Sequence, residues 1–221
     1  SDDKGLVLPP SVAPQQVVIV PINADNGKNP QVLEKIQNIK KFIKMHHPEL
    51  RVKVDHRAHL RPGAKFFEWE KKGVPLRLDI GPRDVDNGSS TVTVRHSGEK
   101  ISVDISDYSA LSAQLSEALR DTQEQLYEAA NKRLHDKTFT IGNYSDMKNM
   151  LSSGNQDEVG FYLAPWKCDE DNEAAVKADC KATIRCYPFE HNTDATRPAD
   201  GTKCFYSGDQ ATHYALFARA F

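Results

Sequence analysis

Residues 61–84 read RPGAKFFEWEKKGVPLRLDIGPRD, and this stretch decides the fold. A Pro62-Gly63 turn opens a short helix that stops at Gly73. VPLRLDIG then alternates apolar and polar residues, which predicts a strand over 74–81. Glu70, Arg77, Arg83 and Asp84 crowd together here with Phe66, Phe67 and Trp69 among them. A plain helix–strand pair does not require that mixture.

The same pattern continues outward. QQVVIVPI (15–22) is a β-branched run ending in Pro, a buried strand. Val32, Ile36, Ile39 and Ile43 fall at helical spacing, so 31–46 reads as an amphipathic helix ended by Pro48. RVKVDHR (51–57) alternates as a strand, and STVTVRHSGEKISVDI (90–105) reads as a hairpin turning near Ser97-Gly98. Strand, helix, strand, helix, strand and hairpin make an α/β domain with a mixed β-sheet flanked by helices. Residues 107–135 form a long helix with Leu111, Leu115, Ala118, Thr122, Leu126 and Ala129 in one stripe, a connector packed on both neighbours. A small α+β C-terminal domain follows, with helices near 144–152 and 170–179 and strands at 157–166, 182–189 and 213–221. The expected divisions are 1–13, 14–106, 107–137 (the connector helix) and 138–221.

The 221 residues are 38% hydrophobic and 27% charged, ordinary for a globular chain. A formal net charge of -2 excludes a polyanion binder along its whole length. The charge is uneven, however. Residues 51–84 carry nine Lys/Arg against five Asp/Glu, whereas 144–221 carry eight against twelve, so only the first region suits an anion. No apolar run approaches the ~20 residues that span a bilayer, and no membrane partner is expected. The start, SDDKGLVLPP, lacks a basic segment and an apolar signal core, which points to the cytoplasm. Cys168, Cys180, Cys186 and Cys204 all lie in the last quarter, where free thiols or a metal site are expected rather than disulfides.

The side chains of 61–84 admit two readings. A carboxylate only accepts hydrogen bonds, and an unpaired guanine offers two parallel donors on its Watson–Crick edge. Arginine matches the guanine O6/N7 edge or a phosphate, and aromatic rings stack on splayed bases. Glu70, Asp84, Arg77 and Arg83 beside Trp69 are therefore a kit for reading single-stranded guanines. In the plainer reading the GPRD turn braces a loop, and Phe66 and Trp69, three apart on a helix, belong to the core.

The 61–84 stretch resembles the anticodon-binding domain of prolyl-tRNA synthetases of the type found in eukaryotes, archaea and some bacteria. So do SDDKGLVLPPSVAPQQVVIVPI at the start and ATIRCYPF, GTKCFYSG and YALFARAF near the end. The family's KGVPLR.EIGPRD pattern stands here with Asp79 in its acidic place. The resemblance implies that Glu70, Arg77, Arg83 and Asp84 contact the anticodon of tRNA(Pro), which ends in two guanines. Lys100 is the nearest match to a further family lysine, in a turn one residue longer. The resemblance also implies a catalytic core upstream, following which SDDKGLVLPP begins. The whole enzyme would activate proline with ATP and Mg2+, esterify tRNA and form a homodimer. This portion alone would have no catalytic residues and no bound cofactor. Phe221 stands where the family's last residue is usually Tyr. The rival reading is a freestanding module of this fold that binds RNA or a protein. A hydrolase lacks support, since no serine elbow or Cys/His motif occurs.

Many relatives hold zinc in the C-terminal domain. Aligned on WKC, IRCYPF and KCFYSG, only Cys168 and Cys204 keep ligand places. The others fall near Asn172 and at Tyr206 or Ser207, poor zinc ligands, while Cys180 and Cys186 match none. His191 sits in a polar loop. Zinc is therefore not expected.

Overall fold

β1 (Val17–Pro21) is completely buried, and the first sheet is built on it. The computed structural model describes residues 1–24 and 28–219. β2 (Val52–Val54) and β3 (Leu76–Ile80) lie parallel to β1 on either side. β4 (Ser89–Val94) and β5 (Lys100–Asp104) extend the sheet antiparallel, giving the order β2-β1-β3-β4-β5. This is the mixed sheet expected from the sequence.

One face is closed by α1 (Pro30–His46) and by the first half of α4 (Tyr108–Asp136). Val32, Ile36, Ile39 and Ile43 of α1, together with Leu111, Leu115 and Leu119 of α4, meet Val17, Ile19, Leu76, Leu78, Val92 and Val103 in one core. The α4 stripe is buried only as far as Thr122; Leu126 is half-buried and Ala129 exposed, so the predicted stripe is too long. The other face carries α2 (Pro62–Lys71), whose Phe66 and Trp69 pack on Val18, Val20 and Val74.

The GPRD segment is more than a turn. Pro82–Asn87 forms a six-residue helix, α3, in which Pro82 supplies the preset φ of a first helical position. The 51–57 strand is shorter than predicted and ends at Val54; Asp55 still donates its N–H to the Ile19 carbonyl at 3.0 Å, while its side chain accepts from Arg57 and Trp69.

The chain divides into two compact units, 1–129 and 130–221. In the second, β6 (Thr138–Thr140), β7 (Phe161–Trp166), β8 (Ala182–Cys186) and β9 (His213–Arg219) form a sheet in the order β6-β7-β9-β8. β6, unpredicted because only three residues long, is parallel to β7; the other pairs are antiparallel. α5 (Tyr144–Ser152) and α6 (Glu170–Cys180) contribute Met147 and Val176 to an aromatic core of Trp166, Phe205 and Phe217. β8 stops three residues short of the prediction, before Pro188, and a 3-10 turn at Phe189–His191 follows. The predicted end of the last strand, including Phe221, lies outside the described residues.

α2 ends as its sequence predicts. Gly73 takes a left-handed φ of 73°, and a Cβ there would lie 2.7 Å from Leu6 Cβ. Gly98, in the β4–β5 turn, has the same φ of 73° with open space around it. Gly98→Ala should therefore lose only the strain of the left-handed conformation, about 1–2 kcal/mol. Gly73→Ala should lose that and the Leu6 contact as well. Denaturant titration of both variants measures the difference, and equal losses would show that Leu6 does not pack on α2.

Candidate nucleic-acid interface

Register places a polar row across the sheet face that bears α2. Val18 pairs with Arg77, Arg77 with Thr93, and Thr93 with Lys100. One step along, Val20 pairs with Asp79, Asp79 with Thr91, and Thr91 with Ser102. Side chains alternate between faces, so these residues share one side. The β1 end of each row is apolar and lies under α2. The β3–β5 end is polar, with Thr91 and Thr93 half-buried and Lys100 and Ser102 exposed.

A buried carboxylate fixes α2 on this face. Asp55, 2% exposed, accepts from Arg57 Nε at 2.9 Å, from Arg57 Nη2 at 2.7 Å and from Trp69 Nε1 at 2.8 Å. Burial pushes the Asp55 carboxyl upward, but the bonds from Arg57 and Trp69 outweigh it and hold it well below the usual carboxylate range. Arg57 also reaches Glu68 on α2. Trp69 is thus tied into the scaffold by its indole N–H and packs on Val18, Val20 and Val74.

Glu70, on the last turn of α2, lines a shallow pocket with Trp69, Arg77, Thr93, Arg95 and Gly98. Its carboxylate, 30% exposed, meets the exposed Lys4 ammonium at 3.3 Å. Arg77 lies 3.9 Å from the Phe66 ring centroid, donates from Nε to Asp79 at 3.0 Å, and has its Nη2 3.4 Å from Thr93 Oγ1. Its Nη1 has no hydrogen-bond partner among the described residues. Burial raises the Asp79 carboxyl above its ordinary value; Arg77 opposes this, the Asp84 charge adds to it, and Lys100 opposes it more weakly. Asp79 therefore lies within electrostatic reach of three residues singled out by the sequence.

Arg95 is a residue that the sequence reading missed. Its side chain, 5% exposed, donates from Nε to the Glu70 carbonyl at 2.8 Å and grips the Asp2 carboxylate at 2.8 and 2.7 Å. It locks the N-terminal segment and the end of α2 to β4. An Arg following the alternating TVTV gives no local signal that it is buried.

The remaining sequence-predicted residues lie beyond the other end of β3. The Asp84 carboxylate accepts the Gly81 N–H at 2.7 Å and so caps α3, as the bracing reading expects. Arg83 is exposed and has no ion pair among the described residues. The structure thus groups Glu70, Arg77 and Lys100 on the sheet face and puts Arg83 and Asp84 on the short helix after β3.

The second unit does not fit a structural zinc. Cys168 is exposed and Cys204 buried, and the described residues contain no group of three or more His, Cys, Asp or Glu placed to hold a metal ion. Oxygen side chains at Tyr206 and Ser207 do not replace the missing thiolates.

Residues 16–115 match the family model described as "Anticodon binding domain", and residues 149–221 match "Prolyl-tRNA synthetase, C-terminal". The chain is similar to the C-terminal portion of prolyl-tRNA synthetases. It is 35% identical over 221 residues to a proline–tRNA ligase of Roseiflexus sp. strain RS-1 and 37% identical over 223 residues to one of Chloroherpeton thalassium. All of this chain is covered in both matches, against 43% and 44% of those relatives. A crystal structure of Cryptosporidium parvum prolyl-tRNA synthetase, complexed with halofuginone and AMPPNP, superposes with a TM-score of 0.84 at 31% identity, covering 100% of this chain and 43% of that one. The chain thus spans less than half the length of these relatives and corresponds to the family's C-terminal portion.

Within this family fold, the Asp55 anchor generates a stability prediction. A carboxyl that titrates lower in the folded chain than in the unfolded one adds stability above the ordinary carboxylate range. That contribution is lost as the pH falls through the range. Asp55→Asn should destabilise the first unit by about 1–3 kcal/mol at neutral pH, through loss of a buried charged acceptor. It should also flatten the acid limb of the stability profile. Denaturation at neutral and acidic pH checks both, and an acid slope equal to the parent's would contradict the anchor.

Proposed function

We propose that the first unit reads the anticodon loop of tRNA(Pro), as the C-terminal part of a proline–tRNA ligase. The observation that carries this reading is the sheet face itself. One acceptor-only side chain, Glu70, stands at a pocket with a cation, Arg77, and the exposed Lys100 follows two strands further along the same row. A carboxylate matches the two parallel donors of an unpaired guanine. The exposed Lys4 partner is the weak kind of surface ion pair, exchanged at little cost when a base arrives. Phe66 and Asp79 hold Arg77 from one ring face and from Nε, which orients its remaining N–H edge. Lys100 and Arg83 are suited to phosphates, and Asp84 combines capping of α3 with a second carboxylate for the second guanine.

The whole protein, on this reading, activates proline with ATP and Mg2+ and transfers it to tRNA, in the cytoplasm and as a homodimer. ATP, Mg2+ and proline are assigned to the catalytic domain, and no residue described here is given a part in that chemistry. The first unit selects the tRNA and positions it for that domain.

Binding to proline anticodon stem-loops, with guanine or adenine at the recognised positions, tests the reading. Glu70→Gln replaces one acceptor oxygen with a donor amide, which faces a guanine donor unfavourably. It should weaken the guanine stem-loop by ~1–3 kcal/mol, about five- to a hundredfold, and narrow the gap to adenine. Arg83→Ala should weaken both RNAs alike and reduce the salt slope by roughly one. Asp84→Asn should lower both melting temperature and guanine preference. Unchanged base preference in folded Glu70→Gln and Asp84→Asn would leave the face without a reading role.

A further inference from the structure

The outer side of α1 carries charge that the fold does not use. Ile36, Ile39 and Ile43 turn into the core, while Gln37, Lys40, Lys41 and Lys44 form an exposed stripe at i, i+3, i+4 and i+7 spacing. The stripe borders β2, the edge strand of the first sheet, because α1 is the crossover between β1 and β2. Together with Val54 and His56 it lines an open hollow of about 270 Å3. α1 closes the sheet face opposite α2, so the hollow is separate from the face that bears Glu70 and Arg77.

No carboxylate neutralises the stripe among the described residues. Residues 34–61 carry eight Lys/Arg against three Asp/Glu. Of those three, Asp55 is buried against Arg57 and Glu49 pairs with His47. Glu34 lies six residues before Lys40, about 9 Å along the helix axis. Lys40, Lys41 and Lys44 take part in no ion pair among the described residues, whereas Lys72, Lys132, Lys148 and Lys167 each hold a carboxylate within 2.9 Å. Like charges three and four residues apart on a helix repel and lower its stability. The stripe therefore works against the fold, and an anionic ligand in the hollow would relieve it.

We propose that the α1–β2 edge is a second, sequence-independent nucleic-acid site, which takes the sugar–phosphate backbone of double-helical RNA other than the anticodon arm. Lysine is a compact point charge that suits a phosphate and reads no base. No Phe, Tyr or Trp lines the hollow to stack on a splayed base, and Phe42 is engaged with His46 and Tyr108. Backbone contact without base readout is the way in which duplex RNA is held. The choice of RNA as the polyanion rests on the anticodon-reading function proposed for the first unit; the charge and position of the site do not.

A labelled RNA duplex of about 16 base pairs, unrelated in sequence to tRNA(Pro), is titrated with the chain at several salt concentrations and followed by fluorescence anisotropy. The triple variant Lys40→Gln, Lys41→Gln, Lys44→Gln should bind at least ~10-fold more weakly than the parent and lose roughly two to three units of salt slope, about one per phosphate contact removed. Its melting temperature should equal or exceed the parent's, because like-charge repulsion is relieved. A second triple variant, Lys177→Gln, Lys181→Gln, Lys203→Gln, alters three exposed lysines of the second unit. It makes the same change in net charge and should leave duplex binding as it was. Equal losses in the two triple variants, or no loss in either, would overturn the proposal. So would polyglutamate that competes as well as the duplex at equal charge, since the stripe would then suit an acidic protein. Failure here is separable from failure of the anticodon reading. Glu70→Gln should change guanine preference and leave duplex affinity alone, and the α1 variant should do the reverse.

Discussion

The Asp55 carboxylate is the constraint on which the α2-bearing face of the first unit's sheet depends. It is buried at the end of β2, and its charge is neutralised by Arg57 and hydrogen-bonded by the Trp69 indole. Such a group is costly to bury unless its partners are all in place. It therefore couples the position of α2 to that of the sheet. Glu70 is the next residue after Trp69, and Phe66, one turn earlier, supports the Arg77 guanidinium. A single buried carboxylate, paired with Arg57, thus supports both the acceptor and the cation of the candidate site.

The second constraint is uneven covering of the sheet. One face is closed by α1 and α4, whereas the other is closed only where α2 sits over β1. The exposed remainder is the antiparallel half, and its side chains are Thr, Ser, Lys and one Arg–Asp pair. The N-terminal segment reinforces the edge of this region. Asp2 fills the fork of Arg95, Lys4 meets Glu70, and Gly5 lies so close to Lys71 that a Cβ would come within 2.5 Å of it.

Much of this was legible in the sequence, and for identifiable reasons. The Ile36–Ile39–Ile43 stripe, the alternation in VPLRLDI and the Gly73 stop are local patterns, and all three appear as read. Arg77 and Lys100 share one face because period-two alternation and antiparallel register place them there, and Glu70 joins Arg77 at a pocket because α2 packs on the same face. What escaped depends on distant partners. The Asp55–Trp69 bond joins residues fourteen apart, and the burial of Arg95 requires Asp2, ninety-three residues away. α3 was hidden because Gly-Pro-Arg-Asp suits a turn as well as a helix start. β6 was hidden because three residues carry no periodicity.

The most direct test is to see where RNA touches the chain. Amide chemical shifts of the isotope-labelled chain, titrated with an unmodified proline anticodon stem-loop, report every contact in one experiment. The account predicts perturbations centred on Thr91, Thr93, Gly98 and Lys100, on the last turn of α2 and at Arg83 and Asp84 of α3, with the buried face of α1 unmoved. Perturbations centred on α1 or on the second unit, with Thr93 and Gly98 unchanged, would contradict it.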